Sequence, residues 1–169
     1  MISAIVAVDE NWGIGFNGEL LEKIPEDLKR FKKLTKGNVV VMGRKTWDSL
    51  PTKPLPDRLN LIISRQPQFV DMFTASIGME EAMVRAKAAS KDPEDEWFVV
   101  GGGQIYKELL PLCDRVYVTK IFKSHENVDT YFPDLDEPEM WDIWRVTEQS
   151  EVKVYNDIMY QFWTYDRIN

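Results

Sequence analysis

The sequence predicts an α/β domain: a mixed, mostly parallel sheet flanked by helices, with an antiparallel strand pair at its C-terminal edge. Two observations carry that expectation. Short apolar runs alternate with amphipathic, helix-like stretches for most of the chain, which is the pattern of parallel strands joined by crossover helices. The last third then changes to long segments rich in β-formers with loose alternation, Ile158, Tyr160 and Phe162 against Met159, Gln161 and Trp163. At 169 residues the chain has the size of one domain, and residues 1–169 are read as one.

The elements follow in order. Ile2–Val8 is a continuous apolar run, as expected of a strand covered on both faces. Residues 10–23 carry three glycines and few helix or strand signals, and are read as an irregular loop. Pro25–Thr35 opens with a proline suited to a first helical turn and with acids that complement the helix dipole. At roughly 100° per residue, Ile24, Leu28, Phe31 and Leu34 share one face, while Glu26, Lys29, Arg30 and Lys33 point away. Residues 39–42 form a strand and Arg44–Ser49 a helix; 51–57, with three prolines, is a loop. Further strands are expected at 59–64, 70–74, 97–100 and 116–121, and helices at Met79–Ala89 and 104–110. Residues 91–96 are a charged connector, and 142–151 with 153–166 make the antiparallel pair. There is no internal repeat.

Lys and Arg number 21 against 28 Asp and Glu, a net charge of −7, so the averaged field repels polyanions and no nucleic-acid partner is expected. No run approaches the ~20 apolar residues of a membrane helix. No basic start precedes an apolar segment, so no export signal, no membrane and a cytoplasmic location are expected. No obligate protein partner is evident. Cys113 is the only cysteine and His125 the only histidine, which excludes an internal disulfide and Cys/His metal centres. His125 lies in the polar stretch 123–127, read as a surface loop. Acid–base chemistry must therefore use carboxylates, Tyr, Lys or water.

Asp27 falls inside the apolar sector of its helix, one turn before Phe31. An ionised carboxylate carried into a core costs several kcal/mol unless it finds a partner. Two readings stand: a dipole-complementing acid that bends out to water, or a carboxylate in an apolar cleft that holds a cationic or amidine-like ligand edge by two hydrogen bonds.

Two strand ends are suited to anions. After Val39-Val40-Val41-Met42 comes Gly43, then a helix opening with Arg44, Lys45 and Thr46, where free backbone N–H groups and cations favour a phosphate. The alternative is an ordinary turn with a solvated basic pair. Trp97-Phe98-Val99-Val100 runs into Gly101, Gly102 and Gly103, then Gln104, Ile105 and Tyr106, with glycines where backbone must pass close to something. This is neither the P-loop pattern nor the usual GxGxxG spacing. Ser64 and Arg65, closing another strand, could take a further phosphate such as the one that distinguishes NADP from NAD.

At these residues the chain resembles dihydrofolate reductase, and the likeness spans almost its whole length. The motifs that carry it recur in order: Ile-Ser-Ala-Ile-Val-Ala-Val at the N-terminus, Gly13-Ile14-Gly15, Pro25-x-Asp27-Leu28-x-x-Phe31, Val41-Met42-Gly43-Arg44-Lys45-Thr46-Trp47, Pro54-Leu55-Pro56-x-Arg58-x-Asn60, Val100-Gly101-Gly102-Gly103-Gln104-Ile105-Tyr106 and Asp129-Thr130-Tyr131-Phe132-Pro133. The resemblance implies reduction of dihydrofolate with NADPH by hydride transfer to C6 and protonation of N5. It implies that Asp27 binds the N3 and 2-amino edge of the pterin with Thr119 hydrogen-bonded to it. Ile5, Ala7, Leu28, Phe31, Leu50 and Val100 would line the substrate pocket. Arg58 would hold the glutamate α-carboxylate, with Lys32 and Lys53 outside it. Ala7, Ile14 and Gly15 would meet the nicotinamide, and Gly43 to Thr46 with Gly101 to Tyr106 the pyrophosphate and ribose. Ser64 and Arg65 would take the 2′-phosphate, and a cis peptide is implied between Gly101 and Gly102.

The sequence departs from the family where Leu20-Leu21-Glu22 replaces the usual Pro-Trp, and Asp57 stands where glycine often precedes the arginine. Glu22 either faces solvent or couples to Asp27 and raises one apparent pKa of the pair. Trp12 and Leu20 fall in the loop that closes over nicotinamide in the family. Two other functions stay open: a related NADPH-dependent pyrimidine reductase of flavin biosynthesis, and an NADPH-binding relative with weak turnover.

Overall fold

A computed structural model describes residues 1–65, 69–71 and 74–169. The strands are β1 (Ile2–Val8), β2 (Gly13–Phe16), β3 (Glu19–Leu20), β4 (Val39–Gly43), β5 (Leu59–Ile63), β6 (Phe69–Asp71) and β7 (Thr74–Ile77). They continue with β8 (Trp97–Val99), β9 (Arg115–Ile121), β10 (Thr130–Tyr131), β11 (Trp144–Gln149), β12 (Lys153–Tyr155) and β13 (Ile158–Arg167). The helices are α1 (Pro25–Thr35), α2 (Arg44–Ser49), α3 (Met79–Ala89) and α4 (Gly103–Leu109). The main sheet runs β11-β13-β9-β1-β8-β4-β5-β7-β6, with β12 beside β13. Its inner strands from β9 to β7 are parallel, whereas β13 joins β9 antiparallel and β11 joins β13 antiparallel. This is the expected mixed α/β architecture.

Strand alternation sorts the core onto the two faces of the sheet. Ala4, Val6 and Val8 of β1, Val39 and Val41 of β4 and Val116 and Val118 of β9 pack in one cluster with Ala82 and Ala86 of α3 and Leu109 of α4. On the other face Ile5, Val40, Met42, Phe98 and Tyr117 pack with Phe31 and Leu34 of α1 and Trp47 of α2. A smaller cluster of Ile24, Ile121 and Tyr160, with Ala7 and Phe162 against it, continues that face toward the antiparallel edge. Cys113 is fully buried, and burial pushes its thiol up to about 12. Among the described residues no helix is long and apolar enough to cross a membrane.

Several boundaries differ from the sequence reading. The stretch 10–23 is not irregular: β2 and β3 form a hairpin that joins β10 in a second, three-stranded sheet. Its turn is Asn17-Gly18, both with positive φ, 50° and 76°, the conformation a two-residue hairpin requires. The segment 153–166 is likewise split, because Asn156 and Asp157 at φ 48° and 64° turn β12 back onto β13. The strand expected at 70–74 becomes β6 and β7, paired antiparallel; residues 72–73 of it lie outside the described residues. The strand read over 59–64 ends at Ile63 in β5.

Candidate active site

The carboxyl ends of β1, β4 and β8 open together where the crossovers leave the sheet in different directions, the usual place for a ligand in an open α/β sheet. A cleft of about 520 Å³ lies there. One wall is the β2–β3 hairpin, with Ile14, Gly15, Phe16 and Leu20; the other is Lys45, Thr46 and Ser49 of α2 with Gly101, Gly102, Gly103 and Tyr106. Ala7 and Val100 form part of the floor, and Asp129 and Thr130 close one end.

Close approach explains the glycines. Gly101 has φ 117°, and a Cβ there would meet the Tyr106 ring at 3.2 Å; one on Gly43 would meet Ile105 at 2.9 Å. The amide N–H of Gly43 donates to the Gly101 carbonyl at 2.8 Å, which stitches the two strand ends together. The Gly101–Gly102 peptide is cis, as is Lys53–Pro54. Tyr106, fully buried, donates its hydroxyl to the Ile5 carbonyl at 2.6 Å, and burial raises its phenol far above the ordinary value. Neither α2 nor α4 begins with a side-chain cap, so their first backbone N–H groups are free to meet an anion.

Asp27 stands on the first turn of α1, where it is partly buried. Thr119 of β9 donates its hydroxyl to Asp27 Oδ1 at 2.5 Å, which fixes the carboxylate plane and leaves Oδ2 for a ligand. Burial raises the Asp27 carboxyl above the ordinary range, while the Thr119 hydrogen bond and the Arg30 guanidinium oppose the rise. Ile5, Phe31, Leu50 and Val100 share the apolar cluster beside it, but Leu28 is 45% exposed and takes no part in that packing. Arg30 does not point away from the sheet as helical spacing suggested; its guanidinium lies over the rings of Tyr117 and Phe162.

Arg58 is buried, with Nε donating to the Pro56 carbonyl at 2.8 Å and Nη1 to Thr35 Oγ1 at 3.0 Å. These two bonds hold the fork and leave its other N–H groups unused by them. Asp57 before it has φ 61°, the conformation glycine adopts without strain. Lys32 and Lys53 are exposed, and Lys53 Nζ lies 5.8 Å from the Trp47 ring. Arg44 pairs with Asp48 on the exposed side of α2, Gln104 binds Glu108 on the outside of α4, and Arg65 is exposed beside Ser64.

Glu22 faces neither open solvent nor Asp27. Its carboxylate sits 3.0 Å from Lys123 Nζ and 3.0 Å from His125 Nε2, and His125 Nδ1 lies 3.1 Å from Asp9. Burial opposes ionisation of Glu22, but the His125 and Lys123 hydrogen bonds outweigh it and hold its carboxyl below the ordinary range. His125, expected on a surface loop, is largely covered, with its side chain 13% exposed. Leu20 was expected in a loop over the nicotinamide, whereas Phe16, and Asp129 and Thr130 at the cleft end, were given no contact role from sequence. The Asn17-Gly18 turn signal between Phe16 and Glu19 was the local mark of that hairpin.

Residues 1–167 match the family model for dihydrofolate reductase. The dihydrofolate reductase of Bacillus subtilis is 36% identical over 171 residues, covering 100% of this chain and 96% of that protein. The bifunctional dihydrofolate reductase-thymidylate synthase of Glycine max is 39% identical over 97% of the chain. The chain spans about a third of the length of that protein and of its Daucus carota counterpart. A solved structure of dihydrofolate reductase from Enterococcus faecalis, complexed with NADP(H) and RAB-propyl, superposes with a TM-score of 0.82 at 32% identity, covering 100% of this chain and 97% of that one.

Proposed function

The chain belongs to the dihydrofolate reductase family, and from that premise we propose that it reduces dihydrofolate to tetrahydrofolate with NADPH, supporting one-carbon metabolism and thymidylate synthesis. Residues 1–169 act as one domain on a small-molecule substrate in the cytoplasm, with no nucleic-acid, membrane or obligate protein partner. The observation that carries the reading is Asp27: a carboxylate oriented by Thr119 at 2.5 Å, set in an apolar recess beside a glycine-walled cleft.

The residues present suit the cofactor. Gly43 and Gly101 let the two strand ends close against Ile105 and Tyr106 where a Cβ would clash, the starts of α2 and α4 present unused N–H groups, and Gly101, Gly102, Gly103 and Lys45 line the cleft. Gly43, Arg44, Lys45 and Thr46 would hold one side of the pyrophosphate and ribose, and Gly101, Gly102, Gly103, Gln104, Ile105 and Tyr106 the other. Ala7, Ile14 and Gly15 would receive the nicotinamide, and Ser64 and Arg65 the 2′-phosphate. NADPH supplies the hydride that reaches C6 of the dihydropterin.

The protein's own work is alignment, exclusion of water and placement of charge. Asp27 grips the N3 and 2-amino edge of the pterin, and its negative charge raises the basicity of N5, which takes its proton from water. Ile5, Leu28, Phe31, Leu50 and Val100 shield the ring. The spare N–H groups of Arg58 hold the α-carboxylate of the glutamate tail, with Lys32 and Lys53 outside it. An inward acid together with this arginine fits a folate better than a ribosylated pyrimidine.

Mixing the protein with NADPH and dihydrofolate and following the absorbance of the reduced cofactor tests the proposal. Oxidation of NADPH that depends on dihydrofolate is expected, and none at any pH would overturn it. Arg65→Ala should weaken NADPH roughly 10–100-fold, the worth of a hydrogen bond to a charged group, and NADH far less. Equal weakening of both would remove Arg65 from the 2′-phosphate.

A further inference from the structure

The helix that carries Asp27 also carries a half-buried cation, and its placement is not that of a solvated surface arginine. Arg30 follows Asp27 by three residues, so the two side chains are neighbours on one turn of α1. Its Cζ lies 4.5 Å from the centroid of the Phe162 ring and 5.5 Å from that of Tyr117. Both rings are themselves fixed. The Tyr117 hydroxyl donates to Glu96 at 3.0 Å and accepts from Arg115 at 3.3 Å, and Phe162 meets Tyr160 edge-on at 5.7 Å. Tyr160 in turn donates to Glu26 at 2.5 Å, on the turn of α1 that begins the helix.

Among the described residues no carboxylate forms a hydrogen bond or ion pair with Arg30. The charges that reach it are Asp27 on its own helix and Glu148 on β11, with the Tyr117 phenol from β9. Asp27 is faced by Thr119 from β9 and Arg30 from α1, while the neutral phenols of Tyr106 on α4 and Tyr160 on β13 lie within reach of its field. Arg30 is therefore the one cation acting on Asp27 among these groups. A guanidinium stays protonated at any working pH, so its charge is permanent.

We propose that Arg30 is a positioning residue for the reaction: held over two aromatic rings one helical turn from Asp27, it holds the carboxylate in its anionic, pterin-gripping form. The inference rests on the assignment of Asp27 to the pterin edge. It makes a prediction that a packing role does not. Taking a fixed positive charge away raises the proton affinity of everything near it, whether the proton sits on Asp27 or on N5 of the bound pterin. The midpoint must then move to higher pH in both cases.

The test is a carboxyl-carbon NMR titration of labelled aspartate in the ligand-free protein, followed by the pH profile of single-turnover hydride transfer. Arg30→Met keeps an unbranched apolar stem against the rings and removes the charge; Arg30→Lys keeps a charge. In Arg30→Met the Asp27 midpoint should rise by about 0.5–1 pH unit, and the hydride-transfer profile should move in the same direction. Arg30→Lys should bring both most of the way back. Phe162→Leu, which retains the cation but removes one of the two rings, should give a smaller rise in the same direction, and it decides the matter if Arg30→Met does not fold. An unchanged midpoint in these variants, or an equal shift in Arg30→Lys and Arg30→Met, overturns the proposal. The NMR titration needs no turnover, so a protein that fails to oxidise NADPH but shows the shift would reject the assigned reaction and keep the charge relation.

Discussion

Asp27 is held in a state that costs the fold something. Its carboxyl titrates above the ordinary range because burial outweighs the Thr119 hydrogen bond and the Arg30 charge. A folded-state value above the unfolded one means that ionisation destabilises the native protein once pH exceeds the unfolded value, and that below it there is no cost. Asp27→Asn should therefore raise the thermal midpoint at neutral pH, by about 2–4 °C for each ~1 kcal/mol relieved, and leave it unchanged in strong acid. The same change should lower kcat/KM roughly 10²–10³-fold with little effect on NADPH affinity. Melting curves at the two pH values and steady-state rates check both halves. A midpoint at pH 7 that does not move would show that the carboxylate is not desolvated, and equal loss of cofactor binding would remove Asp27 from the substrate side.

The β2–β3 hairpin is the element on which the cleft depends, and two anchors hold it. Trp12 at its base, with φ 61°, stacks on Phe132 at 6.1 Å and meets Tyr165 edge-on at 6.3 Å. Trp12→Ala should cost roughly 3–5 kcal/mol in denaturant unfolding, the usual figure for removing a buried aromatic. The far anchor is Glu22 against Lys123 and His125. These contacts are partly exposed, so Glu22→Gln should leave global stability nearly intact but speed amide exchange in residues 10–23 about two- to fivefold. Equal exchange in the two proteins would mean that the pairs hold nothing. Asn17-Gly18 is a local turn signal that the irregular-loop reading passed over, whereas the pairing of Glu22 with His125 joins positions over a hundred apart in sequence and depends on the register of β9.

For the molecule as a whole, the acids that titrate low set the response to pH. Glu26 is held down mainly by the Tyr160 hydroxyl, and Asp166 by Arg115 and Thr147 against an opposing desolvation. A carboxyl whose folded value is depressed contributes stability above its unfolded value, and that contribution is lost as pH falls through the folded one. In Asp27→Asn, where the opposing carboxyl is gone, stability in urea should thus be flat near neutrality and decline once pH drops below the ordinary carboxylate range; a rise in acid in that variant would contradict these assignments. Much of this architecture was readable from the chain. Parallel strands buried on both faces give unbroken apolar runs, and the glycine triplet marks a close approach that only backbone can make. Arg30 was misread because helical spacing gives direction, while the side chain follows Tyr117 and Phe162, which lie 87 and 132 residues further along the chain.

Cys113 is the sole thiol in the chain; it is sealed in the core, and burial keeps it in the protonated form at working pH. Alkylating reagents attack thiolates, so the native protein offers them almost nothing. A cysteine introduced at an exposed position such as Glu19→Cys would then take a fluorophore without background, and the opening of the cleft could be timed in single molecules with no prior removal of natural cysteines.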